Sequence, residues 1–157
     1  MLYIILLILI TYIVASIHKY KGIPISLSDT YFLWKKWFFP FVMWLTGLVL
    51  LPYWLDFTTD SNWEFLPFIS CIGIICVGAA PNIRTDKQEY RIHMICAYLA
   101  ALAATASIFI ICDKWYVLPL ITICNFILCF KEIKNKYIFL IELSIFEAVF
   151  YTLIYDI

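Results

Sequence analysis

Residues 92–112 read Ile-His-Met-Ile-Cys-Ala-Tyr-Leu-Ala-Ala-Leu-Ala-Ala-Thr-Ala-Ser-Ile-Phe-Ile-Ile-Cys, from Ile92 to Cys112, without one Asp, Glu, Lys or Arg. As an α-helix rising 1.5 Å per residue, the run is about 31 Å long, which matches the hydrocarbon thickness of a bilayer. Within it Cys96, Ala97, Ala100, Ala101, Ala103, Ala104 and Ser107 give small residues at three- and four-residue spacing. That spacing lets neighbouring helix backbones approach closely in a membrane. The run is expected at the centre of a bundle.

Working outward, the same reading applies along the whole chain. Apolar segments cover Leu2 to Ile17, Trp37 to Phe57, about Phe65 to Asn82, Trp115 to Phe130 and Tyr137 to Tyr155. Pro40 and Pro52 lie near the ends of the second segment, and Pro81 closes the third. Asp113-Lys114 makes a tight turn into the fifth, which with the sixth is near the minimum length, so a five-span reading is the alternative. The first run carries its charge after the apolar stretch, at Lys19 and Lys21, so it reads as a first span rather than a secretory leader.

Composition agrees. The 157 residues are 65% hydrophobic and 14% charged, with a mean hydropathy of +0.95. A soluble domain is nearer a quarter charged, and one this apolar would expose large aggregating patches. One transmembrane domain over residues 1–157 is expected. The formal net charge is zero, which suggests neither nucleic acid nor an acidic partner. The six cysteines (Cys71, Cys76, Cys96, Cys112, Cys124 and Cys129) show no CxxC or Cys/His metal spacing and read as packing residues.

Charge sets the orientation. Lys19, Lys21, Lys35 and Lys36 fall in the first loop, Arg84, Lys87 and Arg91 in the third, and Lys131, Lys134 and Lys136 in the fifth. Only Lys114 lies on the other side, with Asp56, Asp60, Glu64 and Asp113. Cytoplasmic loops carry the excess of Lys and Arg. The expected fold class is an all-α, polytopic membrane helix bundle of six transmembrane helices with both termini extracytoplasmic, in a cell membrane of the bacterial inner-membrane type. Trp34, Trp37, Trp54, Trp63, Trp115 and Tyr137 fall at the expected interfaces, where amphipathic rings anchor.

Charges inside spans are costly and are candidates for function. Glu142 and Glu147 are both in the last segment, about 140° apart around the helix, so they do not share one face. With the cytoplasmic side fixed, Asp29, Asn82, His93, Asn125 and Glu142 are expected at the level of the inner leaflet. The functional reading takes His93 as acid or base, with Asp29 or Glu142 orienting it, and Ser28, Asn82, Arg84, Arg91, Asn125 and Glu147 around the ligand. Arg84 and Arg91 would hold a phosphate. The plain alternative is a buried hydrogen-bond network that fixes helix register. His18 reads as interfacial.

Some chemistries find little support. Ser28, His93 and Asp29 can be written as a hydrolase triad, but adjacent serine and aspartate side chains need not converge on one histidine. Two separate histidines make a weak zinc site, and no metal or cofactor is expected. Four glycines and no phosphate loop argue against nucleotide binding, and no intramembrane lysine could hold retinal.

The first loop reads Gly22-Ile-Pro-Ile-Ser-Leu-Ser-Asp-Thr30, the third segment ends Val77-Gly-Ala-Ala-Pro81, and the fourth opens His93-Met-Ile-Cys-Ala97. This order resembles the six-span superfamily of damage-regulated autophagy modulators and GPI-lipid remodelling proteins, with its bacterial branch. Members show an Ile-Ser-Asp or Ile-Ser-Glu loop, a Gly-x-x-Pro near span three and a His-x-x-x-Ala start to span four. Those features map onto Ser28, Asp29, Gly78, Pro81, His93 and Ala97. The chain departs in its Ser-Leu-Ser-Asp loop and its short, charged third loop. The resemblance implies a six-helix bundle acting on lipids.

The leading expectation is an integral membrane protein that binds or modifies a lipid or amphiphile in an inward-facing polar pocket. A small transporter or proton pathway using Glu142 and Glu147, and a structural subunit without a site, are the other two readings.

Overall fold

A computed structural model describes residues 1–111, 115–129 and 136–155. The turn at Asp113-Lys114, Cys112, Phe130 and the cations Lys131 and Lys134 lie outside these residues. Among the described residues the fold is all-α: α1 (Leu2–Tyr20), a 3₁₀ helix η1 (Ser28–Leu33), α2 (Phe38–Thr58), α3 (Phe65–Ala79), α4 (Lys87–Ile111), α5 (Val117–Leu128) and α6 (Tyr137–Tyr155). Helices α1, α2, α4 and α6 are long and apolar enough to cross a membrane. Helices α3 and α5 are apolar but shorter, at 15 and 12 residues, or about 22 and 18 Å. Outward side chains such as Leu48, Leu102 and Ile127 are exposed. An apolar exterior of this extent suits lipid rather than water.

Helix limits follow local chemistry. Asp86 Oδ1 accepts the N–H groups of Gln88 at 2.7 Å and Glu89 at 3.2 Å. This cap starts α4 at Lys87, five residues before the apolar run, so its first turn is charged. Pro81 cannot continue a helix and disfavours helical geometry at Ala80, so α3 stops at Ala79 rather than reaching Asn82. At the end of α1, Lys21 takes a left-handed conformation with φ 58°. The N–H groups of Lys21 and Gly22 then bond back to His18 and Ile17, a Schellman ending that reverses the chain.

Close packing joins α2, α3 and α4. A Cβ at Gly47 would lie 2.9 Å from the Cys71 carbonyl oxygen on α3, and one at Gly73 would lie 2.8 Å from Ala100 Cβ on α4. The small residues expected in the fourth segment do permit this approach. Yet it is α3 that is flanked on both sides, by α2 and α4. Helix α6 closes against α4 and α2, while α1 packs on α2 and α5 on α6. Between α2, α3, α4 and α6 a cavity remains, with about 650 Å³ of empty space including its mouth. Ala97, Ala101 and Ala104 border it. The alanine stripe therefore leaves room on one face while it allows contact on another.

Candidate functional site

The first loop does not hang outside the bundle. Ser28, Asp29, Thr30 and Tyr31 of η1 are all buried. Burying so polar a segment requires partners for its backbone and hydroxyl groups. Tyr12 of α1 and Thr30 share a hydroxyl–hydroxyl hydrogen bond, and Trp34 Nε1 donates to Ser16 Oγ at 2.9 Å. From α6, the Phe139 N–H donates to the Ile25 carbonyl at 3.1 Å. The Leu27 N–H donates to Glu142 Oε2 at 2.6 Å. The loop is thus tied to both the first and the last helix.

This tethering brings Ser28 to His93. Ser28 Oγ and His93 Nε2 are 2.7 Å apart, and His93 Nδ1 is 2.9 Å from the Ala80 carbonyl oxygen. A carbonyl only accepts, so the ring proton sits on Nδ1 and Nε2 of the neutral imidazole accepts from the Ser28 hydroxyl. The Ala80 carbonyl points to the ring from the break between α3 and α4 that Pro81 creates.

Asp29 is not the group that orients His93. Its Oδ1 lies 2.7 Å from an Arg84 guanidinium nitrogen, and that guanidinium stacks 4.4 Å from the centre of the Phe32 ring. Asp29 is buried while Arg84 is more than half exposed. Glu142 accepts the Leu27 N–H and so fixes the residue before Ser28. Ser28 and Glu142 both border the cavity, at the end of α2 that carries Phe39.

The remaining expected residues lie elsewhere. Asn125 Nδ2 donates to Glu147 Oε2 at 2.8 Å and to Ser144 Oγ at 3.1 Å, a separate cluster between α5 and α6. Asn82 belongs to the turn before α4: its N–H donates to Glu89 Oε2 at 2.9 Å, and its Oδ1 accepts from Thr85 at 2.8 Å. Arg91 and His18 are exposed. The expected inner-leaflet group therefore divides. Ser28, Asp29, Arg84, His93 and Glu142 meet around η1, while Asn82, Arg91, Asn125 and Glu147 stand apart from it.

No family model, curated protein or solved structure matches this chain.

The Ala80 carbonyl, the Leu27 N–H and the hydroxyls of Tyr12 and Thr30 carry no sign of their role in the sequence. Two of these are backbone groups that carry no residue-type signature. A proline directly after Ala80 was the one available signal, since it ends a helix and leaves carbonyls unpaired.

The cavity is long and apolar. Its α2 wall runs from Phe39 to Trp54, about 22 Å along the helix axis. Among the described residues, Ser28, Ser70 and Glu142 bring hydroxyl and carboxyl groups to the wall and Trp54 an indole, and the Ser70 hydroxyl donates to the Ala100 carbonyl at 3.1 Å. Such a shape can take an extended hydrocarbon chain with its polar end beside Ser28 and Glu142.

Proposed function

We propose that this chain is an integral membrane protein that holds an amphiphile, the apolar chain in the cavity and the polar end at Ser28, His93 and Glu142. The observation that carries this reading is the cavity itself: a narrow apolar space bordered by the buried Ser28, which is bonded to His93, and by the half-buried Glu142 carboxyl. Arg84, exposed and one residue pair away through Asp29, stands where an anionic headgroup would pass. Asn82, Arg91, Asn125 and Glu147 act as structural residues in this reading.

In the same proposal the chain crosses a bacterial-type inner membrane six times with both termini outside. The concentration of Lys and Arg in the odd-numbered loops supports that orientation, and the short helices α3 and α5 would complete their crossings with the segments that flank them. Kinship with the autophagy-modulator and GPI-lipid remodelling superfamily belongs to the proposal too. It is supported by the placement of the shared positions: Ser28 and Ala97 border the cavity, His93 meets Ser28, and Pro81 follows directly on the Ala80 carbonyl that faces the ring.

The test is saturable binding of a long-chain ether phospholipid, followed by native mass spectrometry of the detergent-solubilised protein. Ala104→Trp, which fills the cavity, should weaken binding at least tenfold. Leu102→Trp, on the outward face of the same helix, should leave it unchanged. Equal binding by both variants contradicts the assignment of the cavity.

A further inference from the structure

Ser28 and His93 stand in the relation of a nucleophile to its base. The serine Oγ is 2.7 Å from Nε2, and the opposite ring nitrogen is held 2.9 Å from the Ala80 carbonyl oxygen. A nucleophile, a base within hydrogen-bond reach and a third group that fixes the base are the parts of an activated serine, here with a backbone carbonyl in the place a carboxylate often takes. Both side chains are buried, and His93 is only 2% exposed. The Ser28 side of this pair borders the cavity, and His93 lies behind it.

The other hydroxyl and the carboxyl on that wall are already engaged. Ser70 donates its hydroxyl to the Ala100 carbonyl, and Glu142 accepts the Leu27 N–H. Ser28 is therefore the hydroxyl on this wall that carries a base, and it lies at the end of a channel shaped for a hydrocarbon chain.

We propose that Ser28 is the acyl-accepting nucleophile, and His93 its base, of an esterase that cleaves a long-chain ester held in the cavity. This rests on the amphiphile-binding reading above. Ser28 Oγ attacks the ester carbonyl carbon while its proton passes to His93 Nε2. The bond from that carbon to the alcohol oxygen breaks, and the departing alcohol takes the proton from Nε2, leaving the acyl group on Ser28. Water then adds to the acyl carbon and gives a proton to Nε2. Collapse of this adduct returns the proton to Ser28 Oγ and releases the fatty acid. One ester and one water become one acid and one alcohol, with no change of oxidation state. Glu142 is a positioning residue, acting on Ser28 through the Leu27 N–H.

The experiment uses the whole protein in detergent and a long-chain alkyl fluorophosphonate, which a serine hydroxyl attacks at phosphorus with loss of fluoride. Intact mass and peptide mapping should find one adduct per chain, on Ser28, formed by the folded protein and not after denaturation in SDS. Ser28→Ala should form none. His93→Gln, whose amide can still donate to the Ala80 carbonyl, should label at least about a hundredfold more slowly. Saturable binding of a non-hydrolysable ether phospholipid, measured in parallel, separates the two claims. Binding without any Ser28 adduct overturns the esterase and leaves the amphiphile site intact, whereas loss of both removes both. An adduct on another serine, or equal labelling before and after denaturation, also overturns the proposal. So does a His93→Gln protein that binds the lipid and labels as fast as the wild type.

Discussion

The hydroxyl of Ser28 lies 2.7 Å from Nε2 of His93 although 65 residues separate them in the chain. The contact exists because η1 is drawn under the bundle by Tyr12 and Ser16 on one side and by Glu142 on the other. Its integrity can be tested at each tether.

Glu142 holds the Leu27 N–H, and Leu27 itself is buried. Glu142→Ala would leave that donor without an acceptor, at a cost of about 1–3 kcal/mol. Glu142→Gln keeps a carbonyl oxygen that can accept the same bond and should lose markedly less. Thermal unfolding of both variants in one detergent gives the comparison; equal losses would show that the hydrogen bond does not hold the loop.

Arg84 and Asp29 form an ion pair whose cationic side is more than half exposed. Salt screens the exposed guanidinium, but its removal would leave the buried Asp29 carboxylate unpaired. Arg84→Ala should therefore lower the melting temperature, and by less at high ionic strength than at low. If the amphiphile carries an anionic headgroup, the same variant should bind it more weakly than it binds a neutral analogue of equal chain length.

Gly78 marks the close approach of α3 to α2. A Cβ there would sit 2.9 Å from Trp44 Cδ1 and 3.0 Å from Met43 Cβ, in a region where Trp44 Nε1 donates to the Ile75 carbonyl at 3.0 Å. Gly78→Ala should cost about 1–3 kcal/mol through overpacking. Gly73→Ala should cost no less, because its Cβ would meet the Cys96 carbonyl oxygen at 2.9 Å, and backbone yields less readily than a side chain. Denaturation of both variants checks the order.

Orientation is open to a direct labelling test. In a cysteine-free background, Ser61→Cys should react with a membrane-impermeant maleimide added outside intact cells. Thr85→Cys should react only after the membrane is opened. The reverse pattern, or labelling of both from outside, contradicts the proposed topology.

Much of the helical framework was legible because span length and apolar runs are one-dimensional properties. The start of α6 at Tyr137 follows directly from them. The limits that shifted did so through single side chains, as when Asp86 capped the charged first turn of α4. The site was legible in its residue types and only partly in its geometry. Depth along a helix axis placed Asn125 near the level of Glu142, but depth says nothing of rotation about the axis. The angular offset between Glu142 and Glu147 carried that information, and the two do serve different neighbours: the Leu27 N–H and the Asn125 amide. The return of Ser28 into the bundle was not legible. A segment reading Ser-Leu-Ser-Asp-Thr looks like a solvated loop until the partners of its polar groups are known.

The claim that a hydrocarbon chain occupies the space between α2, α3, α4 and α6 is tested most directly by photo-crosslinking. A phospholipid analogue bearing a diazirine along its acyl chain is incorporated with the protein into vesicles, irradiated, and mapped by peptide mass spectrometry. Adducts are expected on cavity-wall residues such as Ala101, Ile145 and Phe146, suppressed by Ala104→Trp. Adducts confined to outward residues such as Leu48 and Leu102, and insensitive to that substitution, would contradict it.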